Sequence, residues 1–503
     1  MIYVTVFFCG MAVMALELAA SRLFAPYFGS TIHVWAGLIG ALLFFLAAGN
    51  FLGGRMSRAG AGLKKLYGIV MAAALAGAAA PYLARPVMIY FSAAAGRGES
   101  LLPGILVSSA ATLAVPLVLL GCVLPLATGI LTKEAGDAGR TAGALYALST
   151  IGSIAGVFLP ALVTLPLLGT RLTFLVFSAA AGAAAAAGLA RAGAALLLLA
   201  FVPFYFIARS APVRPEPDDG VRLHEEETLY NYIQITRAGD LVKMEIDQGW
   251  FTYSKYLPGS VFTDSYRDYV PLAWLLSGEA DFPRKVCILG LAGGSDARVL
   301  KHVFPGTHVT GVEIDPRLVE LGREYMGLKG ELDRLAIADG RAFLRGTDEK
   351  FDFILVDVYN QAYIPFHMAT KEFFELARGR LAPGGVFAMN VAWRTADDWE
   401  LPHILAATLN EAFPTVYIQM FRLRSNTILY AADRDVPVET VAQRMAAPEN
   451  PHIRDLISKG VDKFGRYSGG EDITVFTDDR APVEMYTDIT IRKFFSDRAG
   501  KNI

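Results

Sequence analysis

Three acids stand where successive apolar runs of this sequence end. His308-Val-Thr-Gly-Val runs into Glu313, Leu335-Ala-Ile-Ala into Asp339, and Phe351-Asp-Phe-Ile-Leu-Val into Asp357. Ahead of them, Val286-Cys-Ile-Leu-Gly290 leads into Leu291-Ala-Gly-Gly-Ser-Asp296, followed by helically spaced Ala297, Leu300 and Val303. Strand, glycine turn and helix in that order open a nucleotide-binding βαβ unit. Gly290, Gly293 and Gly294 carry no side chains, so backbone N–H groups can approach a ligand at the helix N-terminus. Glu313 follows the glycines by about twenty residues, the place for a carboxylate that accepts both ribose hydroxyls. Asp315 is read as a turn or helix-cap residue. Asp339, followed by Gly340, can accept from an adenine amino group or cap the helix from Arg341 onward, and the two roles are compatible. Asp357 ends an apolar strand at its carboxyl end, where open α/β sheets place chemistry, which makes it the candidate catalytic group. No lysine stands at a Walker-type position, so phosphoryl transfer has no support.

The elements that must position these acids begin at about residue 221, where short apolar runs alternate with polar turns. Tyr230 to Ile235 and Leu241 to Ile246 fit two strands, with Arg237-Ala-Gly-Asp240 between them as a hairpin turn. Gly385-Val-Phe-Ala-Met-Asn390 follows the Leu381-Ala-Pro-Gly-Gly385 turn and reads as a further strand of the same sheet. The expectation is a linker and small β-hairpin unit over 211–280 and a Rossmann-like α/β domain over 281–503.

Residues 1–210 are of another kind, with long runs of Ala, Leu, Val, Phe and Gly and almost no charge. A spanning helix needs about 20 mostly apolar residues, because an unpaired peptide group in hydrocarbon costs several kcal/mol. Seven stretches qualify, at about 2–21, 34–54, 66–84, 104–131, 142–168, 172–190 and 193–209. The first lacks a basic leading region and carries Glu17 and Arg22, so it reads as a retained helix. Glu17 is either an ion-pair partner of Arg22 or a substrate-facing group. Arg55, Arg58, Lys64 and Lys65 place the loop after the second span in the cytoplasm. Seven spans then leave residue 210 outside, whereas a nucleoside-binding domain must meet a cytosolic ligand. An eighth segment at 86–95, or one span fewer, resolves this, and the C-terminal domain is expected to be cytoplasmic. The formal net charge of −2 offers nucleic acid no electrostatic footprint. Cys9, Cys122 and Cys287 have no CxxC spacing, so neither a disulfide framework nor a metal site is expected.

Taken together, the motifs resemble the spermidine synthase family, and more closely its membrane-integrated branch in bacteria, in which a transporter-like bundle is fused to the synthase. In the first half the resemblance rests on Glu17-Leu-Ala-Ala-Ser-Arg22-Leu-Phe-Ala-Pro-Tyr-Phe-Gly29, Gly53-Gly54-Arg55-Met-Ser-Arg58 and Leu145 to Gly156. In the second it rests on the glycine turn, Val312-Glu313-Ile-Asp315-Pro316, Ala338-Asp339-Gly340, Val356-Asp357 and Thr477 to Glu484. It implies a polytopic α-helical membrane bundle joined to an AdoMet-methyltransferase-like α/β domain. It also implies aminopropyl transfer from decarboxylated S-adenosylmethionine to an amine of the polyamine class, releasing methylthioadenosine without a metal. Glu313 would hold the ribose, Asp339 the adenine, and Asp357 would take the proton of the attacking amine. Further implications are a multi-pass location in the bacterial inner membrane and a homodimer.

Departures from the family pattern shape the expected specificity. The acid that the family carries in the glycine turn is here Gly293, the acid three residues after the catalytic Asp is Asn360, and a Gln of the first hairpin is Asn231. The Tyr-His-Glu gate becomes Tyr266-Arg267-Asp268. Without the turn acid, ordinary AdoMet is less strongly rejected. Without the second acid, putrescine needs compensating groups such as Asp264, Asp478, Asp479 or Glu484, of which the last three are better placed for turns and caps. Tyr266, Asp264, Tyr359 and Asn360 are the residues expected at the substrate, and Asn231 at the nucleoside. Two alternatives stay open: an enzyme that uses AdoMet itself, by methylation or by release of methylthioadenosine, and a transporter or sensor regulated by a nucleoside domain.

Overall fold

A computed structural model describes the chain except for residues 30–31, 96–100, 133–136, 190–195, 218–219, 247–251, 278, 280, 361–362, 393–399, 421–425, 460–463, 470–472 and 500–503. The chain divides into two compact units. One comprises Met1–Pro215 with Glu227–Tyr232, and the other Glu216–Glu226 with Ile233–Ile503.

The first unit is helical: α1 (Ile2–Phe28), α2 (Ile32–Arg58), α3 (Leu63–Ala95), α4 (Leu101–Gly121), α5 (Val123–Leu131), α6 (Ala138–Leu159) and α7 (Leu165–Leu189), then a short helix Val202–Ser210. Among the described residues, five stretches are long and apolar enough to cross a membrane: Ile2–Phe28, Val34–Arg58, Leu63–Ser92, Leu102–Leu131 and Ala138–Leu189. The difference from the seven expected stretches has a local cause. The stretches 142–168 and 172–190 lie in one continuous helical run, which breaks at Gly169, where φ is +78° and ψ 177°. The seventh becomes the shorter apolar helix Leu197–Ser210. The 86–95 segment is no separate piece but the end of α3, which runs through Pro81 and Pro86.

Small residues set the helix packing here, as lipid-facing bundles require. A Cβ added to Gly152 or Gly156 of α6 would lie 2.1 Å from the carbonyl oxygen of Phe7 or Met11 on α1. Ser153 donates from its hydroxyl to the Gly10 carbonyl at 3.2 Å. Glu17 is buried within α1. Large apolar side chains such as Phe44, Phe51, Leu83, Leu162 and Leu167 are exposed on this unit, as a surface in contact with hydrocarbon would have them.

In the second unit, two sheets build the α/β part. The smaller has four strands in the order β1 (Val221–Glu227), β2 (Tyr232–Ala238), β3 (Leu241–Ile246) and β4 (Thr252–Tyr256). The expected hairpin is therefore part of a four-stranded sheet, and its turn is tighter than the sequence indicates. Ala238 pairs directly with Leu241, leaving Gly239, with φ +59°, and Asp240 as a two-residue connection.

The larger sheet runs β12-β10-β11-β9-β8-β5-β6-β7. Its parallel part is β5 (Lys285–Leu289), β6 (His308–Glu313), β7 (Arg334–Ile337), β8 (Phe351–Val356) and β9 (Leu381–Val391). β10 (Thr415–Met420), β11 (Thr427–Ala432) and β12 (Phe464–Arg466) join it antiparallel. The central strands are apolar on both faces because helices cover both. Val286, Ile288, Phe353 and Leu355 pack into one core, and Cys287, Leu289, Ile354 and Val356 into the other. Winding proceeds from β5 outward to β7, then returns to β8 on the opposite side of β5. The order therefore reverses between β5 and β8, and the crevice beyond their carboxyl ends is the place where such sheets bind ligands.

Candidate active site

Gly290 and Asp357 lie side by side at that reversal. The amide of Asp357 donates to the Leu289 carbonyl at 2.9 Å. Gly290 has φ +86°, and a Cβ on it would stand 2.4 Å from the Asp357 carbonyl oxygen, so β8 can end here only against a glycine. The turn continues through Ala292, at φ +46°, to Gly294, whose left-handed φ of +82° starts the helix Ser295–Val303. Gly293 donates its amide to Ser254 Oγ at 2.9 Å, and a Cβ there would lie 2.9 Å from Ser254 Cβ. An acidic side chain at this position would collide with β4.

Glu313 reaches back from the end of β6 to the same turn. Its Oε2 accepts from the Ala292 amide at 2.8 Å, and its Oε1 from the amides of Ile314 at 2.9 Å and Asp315 at 3.1 Å. Burial pushes this carboxyl above its usual range, while the Ala292 and Asp315 amides pull the other way. Asp315 caps the helix Pro316–Tyr325 by accepting from the Arg317 amide at 3.1 Å. Asp339, before Gly340, caps the helix Gly340–Gly346 through the Ala342 amide at 2.9 Å. Its other oxygen stands 3.1 Å from His367 Nε2, and this imidazole holds the carboxyl below its ordinary value.

Asp357 is the centre of a buried polar cluster. Its Oδ2 accepts from the Tyr266 hydroxyl at 2.7 Å and from Arg267 at 3.3 Å, and its Oδ1 from Asn390 Nδ2 at 2.8 Å. Arg267 also donates to the Tyr253 carbonyl at 2.8 Å, stacks over the Tyr266 ring at 4.4 Å, and lies 3.4 Å from Asp296 Oδ2. The side chains of Arg267, Asp296 and Asp357 are 5%, 3% and 5% exposed. Burial, and then the neighbouring Asp357 carboxylate, push Asp296 up to about 7. Asp296 Oδ1 is buried with no hydrogen-bond partner.

Tyr359, like Tyr266, lies within the electrostatic reach of Asp357. Tyr359 donates to the Asn390 carbonyl at 2.9 Å and accepts from the Ala392 amide at 2.7 Å, and burial pushes its phenol far up. The remaining residues named from the sequence have the following settings. Asn360 is exposed and pairs its backbone with Tyr363, and Asp264 is exposed with φ +52°. Asn231 belongs to the first unit, where it closes a turn with Thr228. Asp478 is taken by Arg341, at 2.6 and 2.5 Å, and by Thr370 at 2.7 Å. Asp268 forms a capping box with Ser265.

Asp296, Asn390 and His367 were given no role from sequence. Asn390 could have been flagged as a polar residue ending an apolar strand, and Asp296 as an acid on the buried face of the helix after the glycines. Nothing near His367 in the sequence points to Asp339.

Residues 276–425 match the family model for the spermine/spermidine synthase domain, and the C-terminal half of the chain carries that domain. A probable polyamine aminopropyl transferase of Bifidobacterium longum (strain NCC 2705) is 28% identical over 294 residues, covering 55% of this chain and 65% of that protein. The eEF1A lysine and N-terminal methyltransferase of Homo sapiens is 28% identical over 212 residues, 39% of this chain and 29% of that protein. The chain thus spans less than two-thirds of the length of these curated relatives. A probable spermidine synthase from Corynebacterium glutamicum ATCC 13032 superimposes with a TM-score of 0.38 at 21% identity, over 52% of this chain and 99% of that one.

Proposed function

We propose that this chain is a membrane-bound aminopropyltransferase that moves an aminopropyl group from decarboxylated AdoMet to an amine and releases methylthioadenosine. The observation that carries this reading is the meeting, at one switch point, of a glycine-rich turn, the Glu313 carboxylate and the buried Asp357 carboxylate. A Cβ at Gly290 would meet the Asp357 carbonyl and one at Gly293 the Ser254 side chain, so glycine keeps this turn close against its neighbours, and in this reading the nucleoside lies on its open side. Glu313 would accept from the ribose hydroxyls, and Asp339 from the adenine amino group. The distant relatedness to a polyamine aminopropyl transferase supports the same reading.

An amine attacks only when unprotonated. In this reading Asp357 attracts the incoming ammonium and takes its proton, while Tyr266 and Asn390 fix the direction of the carboxylate. The nitrogen lone pair forms a bond to the propyl carbon as that carbon's bond to sulfur breaks. The sulfur keeps the electron pair and leaves as a neutral thioether. Because a sulfonium is already an activated leaving group, positioning can supply most of the rate. The reading requires the C-terminal unit to face the cytoplasm of a bacterial inner membrane, where its nucleoside is made, and it takes the enzyme as a homodimer.

One observation favours a second reading, methyl transfer from AdoMet itself: the turn offers glycine at 293 and no acid to repel a donor carboxylate. Purified protein given either donor with a panel of amines separates the two. Methylthioadenosine with a lengthened amine supports aminopropyl transfer, and S-adenosylhomocysteine supports methylation.

A further inference from the structure

Charge among Arg267, Asp296 and Asp357 balances within the protein only while Asp296 is protonated. Two carboxylates, Asp296 and Asp357, share one guanidinium, Arg267, and all three side chains are at least 95% buried. Both oxygens of Asp357 are engaged, by Tyr266, Arg267 and Asn390. Asp296 Oδ1 is not. A buried carboxylate oxygen without a donor, here beside the Asp357 carboxyl, is a place that a water or a charged hydrogen-bond donor can fill.

Asn360, Asp478 and Asp268 offer no place for a second positive charge. Asn360 brings an amide where the family has an acid, and Asp478 is held by Arg341 and Thr370. Asp268 spends its carboxylate on the amides of Thr263 and Ser265. Arg267 is itself a cation fixed inside the cluster, held by the Tyr253 carbonyl and the Tyr266 ring as well as by the two acids. A diamine would bring a second ammonium into the field of this guanidinium in a water-poor site, where like charges repel strongly.

We propose that the acceptor is an amine bearing a single positive charge, its ammonium received between Asp296 and Asp357, and that Arg267 excludes diamines. Asp296 supplies an acceptor-recognising carboxylate that Asn360 cannot, from the first turn of the helix after the glycines. Asp357 then draws off the proton of an ammonium already held. The inference rests on the aminopropyltransferase reading and names its acceptor class.

The test uses the full chain in lipid nanodiscs with decarboxylated AdoMet and two acceptors of matched length, 4-amino-1-butanol and putrescine. Methylthioadenosine and the aminopropylated products are followed by mass spectrometry. The expected result is a kcat/KM at least about tenfold higher for the amino alcohol, as like-charge exclusion of a second ammonium would give. Asp296→Asn should raise KM for the amino alcohol more than it lowers kcat, with methylthioadenosine binding retained, and Arg267→Gln should shrink the preference. If either variant fails to bind methylthioadenosine, the wild-type ratio alone decides. Putrescine preferred by the wild type would overturn this proposal and leave the aminopropyltransferase reading standing. No methylthioadenosine with any amine would overturn both.

Discussion

The Glu313 carboxylate accepts a hydrogen bond from the Ala292 amide at 2.8 Å, tying the end of β6 to the glycine turn that follows β5. The same carboxylate takes the amides of Ile314 and Asp315. One side chain therefore organises both walls of the crevice, and in the proposed complex it would turn part of that capacity to the ribose.

Replacing Glu313 with Ala should abolish methylthioadenosine binding in calorimetry. It should also lower stability by about 1–3 kcal/mol, because buried amides lose their acceptor. Glu313→Gln, which keeps an acceptor oxygen, should recover most of the stability but little of the binding. Full nucleoside affinity in both variants would remove Glu313 from the site.

Asp357→Asn should keep nucleoside affinity and lose turnover by a factor of about 10²–10⁴, the range for a lost general base. The amide can still accept from Tyr266, so the fold should survive, as circular dichroism of the variant would report. Turnover equal to wild type would take Asp357 out of the chemistry.

Gly293→Ala puts a methyl group 2.9 Å from Ser254 Cβ and 3.1 Å from Met326 Cγ. Overpacking of this kind costs about 1–3 kcal/mol, and thermal unfolding of the variant should show it. Combining it with Ser254→Gly should restore part of the loss. An unchanged melting temperature in the single variant would mean that the turn and β4 are not in contact.

The pH dependence follows from Asp296, pushed from an ordinary 3.8 to about 7 by burial and by Asp357. A carboxyl with a raised value in the folded state binds protons more tightly there than in the unfolded chain. Its contribution to stability is thus intact below about pH 4 and is lost as the pH rises to about 7. Ammonium binding has the opposite sense, since it needs the ionised form. The groups facing Asp296 are Arg267 and Asp357, with Tyr266 adjoining both and Arg298 of the same helix acting on it electrostatically. KM for the acceptor should fall as the pH passes from 6 to 8, and Asp296→Asn should flatten that slope. Equal slopes in the two proteins would exclude Asp296 from acceptor binding.

In the helical unit, Gly152→Leu should push α6 off α1, because even a Cβ meets the Phe7 carbonyl oxygen at 2.1 Å. Lower thermal stability in detergent is the expected readout. The conservative Gly152→Ala should give a smaller effect in the same direction.

What the sequence disclosed and what it concealed divide along the range of the interactions. Apolar runs ending in Glu313, Asp339 and Asp357 signal strands and their carboxyl ends locally, so the α/β core was legible. The glycine turn was legible for the same reason, since Gly290 and Gly294 are needed for their left-handed φ. Contacts between distant segments were not legible. Arg267 and Asp357 are 90 residues apart in the chain, and nothing in either neighbourhood announces the other. Asp296 sat in plain view, but its orphaned oxygen is a property of the packed core. Gly169 lies between the two stretches read over 142–168 and 172–190, yet hydropathy alone cannot distinguish a turn between two spans from a bend within one.

The central claim is tested most directly with decarboxylated AdoMet deuterated along its propyl chain, supplied with 4-amino-1-butanol and a diamine in competition. Aminopropyl transfer predicts the deuterium in a lengthened amine and unlabelled methylthioadenosine in equal amount. Deuterium remaining with the nucleoside while the amine stays unmodified, or turnover only with ordinary AdoMet to give S-adenosylhomocysteine, would contradict it.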